Sequence, residues 1–285
     1  MRITNSDTKL TKALIIIEQL IIITVYGGSS WTTATPLNYT DISAPPAWCS
    51  FYGVTCGTNS AGAEYRRVIE IILKFQNFLG GTLPEFIHLG EMTKLDIYYS
   101  SISGTIPQSI SKLSKLETLA LHGNKIAGTI PDTLGSLSKV KSLLLGENQL
   151  SGTIPSSFMG LAGIERVDLT RMKLTGSIPS GLGKLYNLQD LHLDHNQLTG
   201  TIPLLNQPSL LYVWLNDNYL TMGSLTEVPP STFSNTAQYQ GYVYVMNNCL
   251  TFRHPYASYL NAYPTNCRPG EQTSKKSLNI NTGKP

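Results

Sequence analysis

Hydrophobic and polar residues recur with a fixed period through the middle of the chain, from Arg67 to Leu220. Within each period, aliphatic residues stand two apart, as at Leu119 and Leu121, which directs both to one face of a short strand. A Gly-Thr-Ile-Pro motif, or a close variant of it, follows each such pair. These motifs begin 23 or 24 residues apart, at Gly81, Gly104, Gly128, Gly152, Gly176 and Gly200. The pattern predicts one short strand in every period.

A fixed period in the twenties with leucine-like residues at constant offsets is typical of a leucine-rich-repeat solenoid, with one coil per repeat. We expect a right-handed α/β-type superhelix with one parallel β-sheet on its concave face. Short 3-10 or loop segments should form the convex face, and a cap helix the N-terminal end. The predicted divisions are an N-terminal cap (1–66), the repeats (67–220), a degenerate last repeat with a C-terminal cap (221–267) and a disordered tail (268–285).

Each coil also carries a polar frame position whose buried amide should bridge neighbouring coils. Asparagine occupies it at Asn77, Asn124, Asn148, Asn196 and Asn218. Ser100 and Met172 replace it in two coils. Serine can still form a weak hydrogen bond, whereas a thioether cannot replace an amide, so we expect the asparagine ladder to be interrupted at Met172.

The two ends of the array are irregular. In the first coil, either Lys74 occupies a leucine position or one residue is inserted so that Ile71 and Leu73 point inward; we expect the insertion. After Leu220 the Gly-x-Ile-Pro motif is lost, but Val243 and Val245 fit the frame again. They predict a terminal strand, which gives about eight coils in all.

The segment before the array has two interpretations. Residues 13–26 are strongly apolar, with Glu18 in their middle, so they could form an amphipathic helix that covers the first coil. A secretory signal is the alternative, with Arg2, Lys9 and Lys12 as its basic start, although Glu18 interrupts the apolar run. The run is short for a membrane span. We expect the cap helix and no membrane span.

Charge and cysteine content narrow the function classes. The chain has 285 residues, and its 21 Lys and Arg against 18 Asp and Glu give a net charge of +3, too small for a nucleic-acid binder. The four cysteines flank the repeats and lack zinc-site spacing, which indicates disulfides formed in an oxidising compartment. They are Cys49 and Cys56 before the repeats, and Cys249 and Cys267 after them. Asn38 begins the only Asn-x-Ser/Thr sequon and is a candidate glycosylation site.

The block from Trp48 to Cys56, preceded by Gly27–Trp31, resembles the N-terminal cap of plant-type extracellular leucine-rich-repeat proteins. That family includes receptor-kinase ectodomains and polygalacturonase-inhibiting proteins, and the resemblance extends from about Thr8 to Cys267. It implies a secreted or cell-wall-facing protein without catalytic activity. Defence, inhibition of a wall-degrading enzyme and signal perception are the roles that it implies. We expect a monomer that needs no cofactor.

Outward positions on the predicted sheet are free of the repeat frame. One column contains Leu73, Asp96, Ala120, Leu144, Asp168, His192 and Trp214. The next contains Phe75, Tyr98, His122, Gly146, Thr170, Asp194 and Asn216. With strands about 4.8 Å apart, these columns form two candidate binding clusters. They are Phe75, Tyr98, Tyr99 and His122 near the N-terminal end, and Arg166, Asp168, Arg171, Asp190, His192, Asp194, His195, Tyr212 and Trp214 towards the C-terminal end.

Aromatic residues beside arginine are typical of protein-binding hot spots, so we expect a protein, or an extended glycan, on the concave sheet. Alternatively, the aromatic residues shield the ends of the solenoid. A metal site at His192, Asp194 and His195 is not expected, because these residues alternate in direction or sit on a turn, and no second set of ligands is evident. An acid/base pair of Asp168 and Asp194 is not expected either, because an open sheet forms no deep pocket.

Two further functions compete with protein recognition. A structural wall protein could bind polysaccharide on the same sheet. Ice binding is suggested by one hydroxyl per coil in register, and a leucine-rich-repeat antifreeze protein is known within the group that the chain resembles. The hydroxyl residues are Thr82, Thr105, Thr129, Thr153, Ser177 and Thr201. The simpler interpretation of these hydroxyls is that threonine before Ile-Pro belongs to the repeat frame.

Overall fold

The repeats stack into a solenoid in which every coil contributes one strand to a long sheet. The computed structural model describes residues 53–58, 64–74, 82–86, 89–205, 207–221 and 242–244. The nine strands of this sheet, which we call the concave sheet, are β1 (Val54–Thr58), β2 (Glu64–Lys74), β3 (Lys94–Tyr98), β4 (Thr118–Ala120), β6 (Ser142–Leu144), β8 (Arg166–Asp168), β10 (Asp190–His192), β12 (Tyr212–Trp214) and β14 (Tyr242–Tyr244). All neighbours are parallel except β1, which pairs antiparallel with β2 at the edge.

The aliphatic frame residues fill the interior, as the periodicity predicted. Leu119 pairs with Leu143, Leu143 with Val167 and Val167 with Leu191 along the sheet, and all four side chains are buried. The terminal strand continues the series, because β14 places Val243 beside Val213. The chain therefore has the leucine-rich-repeat solenoid fold that the sequence predicts.

Proline marks the start of the segments on the opposite side. Four short 3-10 turns lie there in the described part of the chain, each directly after the proline of a Gly-x-Ile-Pro motif. They span Gln108–Lys112, Asp132–Ser136, Ser156–Gly160 and Ser180–Lys184. Since the fixed φ of proline suits the start of a helical turn, the motif fixes where each turn begins.

A second sheet, which the sequence did not predict, lies between the concave sheet and the 3-10 turns along each coil. Its five parallel strands are β5 (Ala127–Thr129), β7 (Gln149–Thr153), β9 (Lys173–Ser177), β11 (Gln197–Thr201) and β13 (Tyr219–Thr221). The expectation of one sheet was incomplete because proline stands two residues beyond four of these five strands, as Pro155 does after Thr153. Proline there cannot interrupt pairing that ends before it.

The frame asparagines join consecutive coils. The Asn148 amide donates to the carbonyl oxygens of Leu121, in the preceding coil, and Leu145, and its Oδ1 accepts from the Ile126 amide. Asn124, Asn196 and Asn218 repeat the arrangement. Ser100 supplies only weaker bonds to backbone oxygens, and Met172 places a buried thioether in the ladder.

The first coil contains the inserted residue, as expected. Ile71 and Leu73 are buried and pair with Leu95 and Ile97. Leu73 therefore belongs to the core, and its assignment to the outward column was wrong. The outward positions beside Asp96 and Tyr98 are Ile72 and Lys74.

Several predictions lie outside the described residues: the helix at 13–26, Asn38, Cys49, Phe75, Asn77, Val245, Cys249, Cys267 and the tail at 268–285. Cys56, on β1, is disulfide-bonded, and its pairing with Cys49 stays a prediction. Within the described part of the chain, none of the helices has the length and hydrophobicity that a transmembrane segment requires.

Candidate functional site

The outward side chains of the concave sheet form a continuous column across the coils. Strand pairing places Asp96 beside Ala120 and continues through Leu144, Asp168 and His192 to Trp214. Ala120 and Leu144 form a low apolar floor in the middle of the column, and the polar and aromatic residues stand at its ends. The candidate site is therefore two clusters separated by a floor of small or aliphatic residues.

Three rings at the N-terminal end form what we call the aromatic cluster: Tyr98, Tyr99 and His122. The Tyr98 and His122 rings stack, with centroids 4.6 Å apart and planes inclined by 16°. Tyr99 meets both rings edge-on, with centroids 5.9 Å from Tyr98 and 5.5 Å from His122. Stacked and edge-to-face contacts both stabilise ring pairs, so the three rings hold each other in place.

A buried carboxylate anchors a cation beside the aromatic cluster. Asp96 Oδ2 lies 3.5 Å from Lys74 Nζ and 3.6 Å from Lys94 Nζ. Lys74 Nζ also lies 5.2 Å from the centroid of the Tyr98 ring, in a cation–π contact. The Asp96 charge is the main cause that raises the pKa of Lys74, so this cation is held at the edge of the cluster.

One position in each coil, directly before the frame position, has a left-handed backbone; we call these the rim positions. They are Tyr99, Gly123, Glu147, Arg171, His195 and Asp217, with φ between 49° and 68°. Left-handed backbone costs an ordinary residue about 1–2 kcal/mol. In four of these coils the following residue is a frame asparagine, whose amide hydrogen bonds hold the turn in place. The same turn therefore presents a large side chain from five of these six coils at the edge of the concave sheet.

A hydrogen-bonded chain connects the rim to the column at the C-terminal end. Asp168 Oδ1 accepts from the Thr170 amide at 3.0 Å, and the Thr170 hydroxyl donates to Asp194 Oδ1 at 3.0 Å. Asp194 Oδ2 lies 2.8 Å from His195 Nδ1, and His195 Nε2 lies 3.3 Å from Asp217 Oδ2. The carboxylates of Asp168, Asp194 and Asp217 therefore all contact other groups of the protein.

Aromatic and charged side chains complete the C-terminal end. Arg166 Nε donates to Asp190 Oδ2 at 2.9 Å. The rings of His192 and Trp214 have centroids 5.7 Å apart and planes inclined by 41°. Tyr212 precedes Trp214 on the same strand face and is 41% exposed.

The structure separates the residues of the metal hypothesis. His195 contacts Asp194 and Asp217, whereas His192 contacts Trp214. Among the described residues, no group of three His, Cys, Asp or Glu side chains is arranged to hold a metal ion.

Comparison with known proteins identifies the type of repeat in this chain and similar folds. Residues 115–174 and 138–198 match the family model described as Leucine rich repeat. The ectodomain of the plant membrane receptor kinase GASSHO1/SCHENGEN3 from Arabidopsis thaliana is 29% identical and superposes with a TM-score of 0.64, over 83% of this chain and 30% of that one. The chain is a leucine-rich-repeat protein that is similar in structure to the ectodomains of plant receptor kinases.

Other solved structures extend the comparison. The plant peptide hormone receptor RGFR1 is 36% identical to this leucine-rich-repeat protein, with a TM-score of 0.55 over 60% of this chain and 27% of the receptor. A plant ice-binding protein is 21% identical, with a TM-score of 0.51 over 85% and 87% of the two chains, which shows a shared fold. The sequence has no significant match among curated proteins. The chain spans between 27% and 32% of the receptor chains at the head of the comparison.

Sequence reasoning missed three side chains of this leucine-rich-repeat protein's candidate site. The sequence analysis considered Lys74 only as a possible inward-facing residue of the first coil, so its contact with the Tyr98 ring was not expected. Glu147 and Asp217 occupy the rim, as Tyr99, Arg171 and His195 do. Their 24-residue spacing, or 22 in the shortened last coil, could have identified them as one column.

Proposed function

We propose that this protein is a non-enzymatic extracellular recognition module whose concave sheet binds an extended segment of a protein partner. The observation that carries the proposal is the arrangement of the outward column. Aromatic residues stand at both ends of an open sheet, with Ala120 and Leu144 between them. Aromatic anchors bury large areas at low entropic cost, and a low floor leaves room for a main chain to cross.

The distance between the anchors suits a short segment. Tyr98 on β3 and Trp214 on β12 are five strand steps apart, which corresponds to roughly 24 Å at the strand spacing. An extended chain covers about 3.3–3.6 Å per residue, so about seven residues would connect the two ends. A flexible peptide or an exposed loop can provide such a segment.

Similar proteins support the class of partner. RGFR1 is solved in complex with RGF2, and the GASSHO1/SCHENGEN3 ectodomain with CASPARIAN STRIP INTEGRITY FACTOR 2. For this chain we propose a secreted or cell-wall-facing location and a role in defence or signalling. The disulfide at Cys56 and the sequon at Asn38 support that location.

A binding role accounts for the carboxylates better than catalysis does. Asp168 accepts a hydrogen bond from the backbone amide of Thr170. Asp194 accepts one from the Thr170 hydroxyl and also contacts His195. Both lie on an open sheet. An acid/base pair would need free carboxyl groups converging on one bond of a substrate.

Affinity capture tests the proposal. The purified protein, immobilised and exposed to extracellular extract, should retain a specific protein partner, identified by mass spectrometry. The double variant Tyr98→Ala/Trp214→Ala should lose it, and Tyr186→Ala should retain it because Tyr186, although 66% exposed, lies in a loop outside both sheets. Retention by the double variant would show that the concave sheet is not the binding surface.

Ice binding is a second candidate function, favoured by one observation. The second sheet pairs hydroxyl-bearing residues on each two neighbouring strands: Thr129 with Ser151, Thr153 with Thr175, Ser177 with Thr199, and Thr201 with Thr221. The first residue of each of these pairs is exposed. A Cβ added at Gly152 would lie 3.0 Å from the Thr129 methyl group, so this methyl packs over the glycine of the next coil, as the Thr105 and Thr153 methyl groups do over Gly128 and Gly176. The similarly folded plant ice-binding protein motivates the same hypothesis here.

Thermal hysteresis decides this second candidate. If these hydroxyl-bearing residues bind ice, the purified protein should show a gap between melting and freezing points, and Thr153→Tyr should abolish it by breaking the flat surface. Tyr98→Ala, on the other sheet, should leave the gap unchanged. Absence of hysteresis in the wild type would exclude the function.

A further inference from the structure

The concave surface has a charge of opposite sign to that of the whole chain, which carries a net charge of +3. Along the outward columns and the rim, carboxylates outnumber cations. The carboxylates are Glu70, Asp96, Glu147, Asp168, Asp190, Asp194 and Asp217, and the cations are Lys74, Lys94, Arg166 and Arg171. With histidine neutral, seven carboxylates against four cations give this surface a net charge of −3. That charge favours a cationic partner over an anionic one.

Asp168 differs from the carboxylates that already have a cation beside them. Lysine or arginine nitrogens lie within 3.6 Å of the carboxylates of Asp96 and Asp190. Asp168 Oδ1 accepts from the Thr170 amide at 3.0 Å, but among the described residues no cation lies within salt-bridge distance of Asp168. A Cβ added at Gly146 would lie 2.7 Å from Asp168 Oδ1, so this carboxylate lies over the floor of the preceding coil. An ion without a counter-ion therefore stands in the middle of the concave surface.

The charge of Asp168 also acts on the aromatic cluster. The hydrogen bond from Tyr99 to Glu147 is the main cause that raises the pKa of Tyr99, and the negative charges of Glu147 and Asp168 act in the same direction. These two carboxylates come from consecutive coils. The space above the floor is therefore negative on the side of the rim.

Any segment that runs from Tyr98 to Trp214 has to cross β8 and cover Asp168. Covering a carboxylate removes its water, which is costly unless the segment supplies a counter-ion. A neutral segment would leave this charge unpaired, and an acidic segment would add repulsion. We propose that the bound segment is cationic and places a lysine or an arginine against Asp168. This inference rests on the proposed function, because it concerns the same surface and the same segment.

Buried acceptors at both ends of the surface favour the same kind of ligand. Asp96 Oδ1 and Asn216 Oδ1 are buried and have no hydrogen-bond partner among the described residues. Asn216 Nδ2 donates to Asp217 Oδ2 at 2.6 Å, which fixes the orientation of the amide and leaves its oxygen unpartnered. Carboxylate and amide oxygens accept hydrogen bonds but do not donate them. A ligand rich in ammonium, guanidinium or amide donors therefore complements the ends as well as the middle.

The strand spacing predicts where the cation stands in the segment. Asp168, on β8, is three strand steps from Tyr98 on β3 and two from Trp214 on β12. These steps correspond to about 14 Å and about 10 Å. At about 3.3–3.6 Å per residue, the cation lies about four residues from the residue that contacts Tyr98, and about three from the one that contacts Trp214.

A random octapeptide library tests this preference with defined probes. Octapeptides displayed on phage are selected on the immobilised full-length protein and sequenced. We expect the selected peptides to share a lysine or arginine at one internal position. That position should lie about four residues from one apolar or aromatic residue and about three from another.

The tightest-binding peptide, synthesised and titrated by calorimetry, tests the contact with Asp168. Asp168→Asn keeps an oxygen that can accept from the Thr170 amide and removes the charge, so it should weaken binding at least about tenfold. Replacing the peptide cation by glutamine should weaken binding similarly, and the two changes together should cost little more than either alone. Asp132→Asn is the matched control, because it removes the same charge from an exposed residue of a 3-10 turn, and it should bind as the wild type does. Circular dichroism establishes that each variant is folded.

The outcomes separate this inference from the proposed function. Selected peptides without a preference for lysine or arginine, or equal binding by Asp168→Asn and the wild type, would overturn the inference. Neutral peptides that need Tyr98 and Trp214 would refute the cation alone and support the proposed function. Cationic peptides that need Asp168 but bind Tyr98→Ala/Trp214→Ala as tightly as the wild type would support the cation and refute the two anchors. Selection of no peptide would overturn both.

Discussion

The Tyr99 hydroxyl donates a 3.0 Å hydrogen bond to Glu147 Oε2, two coils away along the solenoid. The Tyr99 ring reaches Glu147 by lying over Gly123, the rim residue of the coil between them. A Cβ at position 123 would lie 2.3 Å from Cδ1 of this ring, and Gly123 has a φ of 68°. Glycine is therefore required here because the ring occupies the space of a side chain, and the positive φ adds to the cost of any other residue. The geometry of the aromatic cluster depends on this glycine.

Replacing Gly123 by alanine should destabilise the protein and displace the Tyr99 ring. The new methyl group would collide with the ring, and the left-handed backbone adds strain, so we expect a loss of about 1–3 kcal/mol in the free energy of unfolding. Urea denaturation measures this loss. Gly90→Ala is the matched control, because a Cβ there has its nearest contact at 3.5 Å and should change stability by no more than about 1 kcal/mol. Equal losses in both variants would contradict the explanation.

Tyr99 should ionise at a higher pH than an ordinary tyrosine. Its hydrogen bond to Glu147 is the main cause that raises its pKa above 10.0, and burial and the Glu147 charge act in the same direction. The bond therefore stabilises the fold below pH 10 and is lost as the pH rises through the raised pKa.

Tyrosinate absorbance, compared between the wild type and Tyr99→Phe, isolates this titration. Glu147→Ala should shift the same transition to lower pH, because it removes both the hydrogen-bond acceptor and the negative charge. If the Tyr99 transition stayed at the same pH in Glu147→Ala, the contact with Glu147 would not be what raises the pKa of Tyr99.

Met172→Asn should raise the melting temperature by restoring the interrupted ladder. Asn148 and Asn196, on either side, each donate to two carbonyl oxygens and accept one backbone amide. A net intramolecular hydrogen bond contributes about 1 kcal/mol, and each kcal/mol corresponds to about 2–4 °C in a protein of this size class. Differential scanning calorimetry measures the shift.

The reverse substitution provides the control. Asn148→Met should lower the melting temperature by more than Met172→Asn raises it, because it leaves the Leu121 and Ile126 backbone groups without their buried partner. A clear drop for Met172→Asn would show that the packing of the buried thioether outweighs the missing hydrogen bonds.

The repeat frame made much of the fold predictable from the sequence. A 24-residue period forces equivalent residues into equivalent places, so the core, the 3-10 turns and the outward column from Asp96 to Trp214 could all be assigned. The terminal strand at Val243 followed from the same rule.

Features that depend on more than one coil were not predictable in this way. The second sheet requires backbones such as those of Gln149–Thr153 and Lys173–Ser177 to align, and no side-chain pattern encodes that alignment. The first coil places Lys74, rather than Phe75, beside Tyr98, because an inserted residue changes which side chains point outward. The contact between Tyr99 and Glu147 exists only because Gly123 has no side chain.

The central claim is that the concave sheet is the recognition surface, and steric obstruction of its floor tests that claim most directly. The measurement is the affinity of the captured partner for Leu144→Trp, which places a large ring in the middle of the outward column, and for Met159→Trp, which places the same ring on an exposed 3-10 turn. We predict that Leu144→Trp weakens binding at least about tenfold and that Met159→Trp binds as the wild type does. Wild-type affinity for Leu144→Trp, or weakened binding for Met159→Trp alone, would contradict the claim.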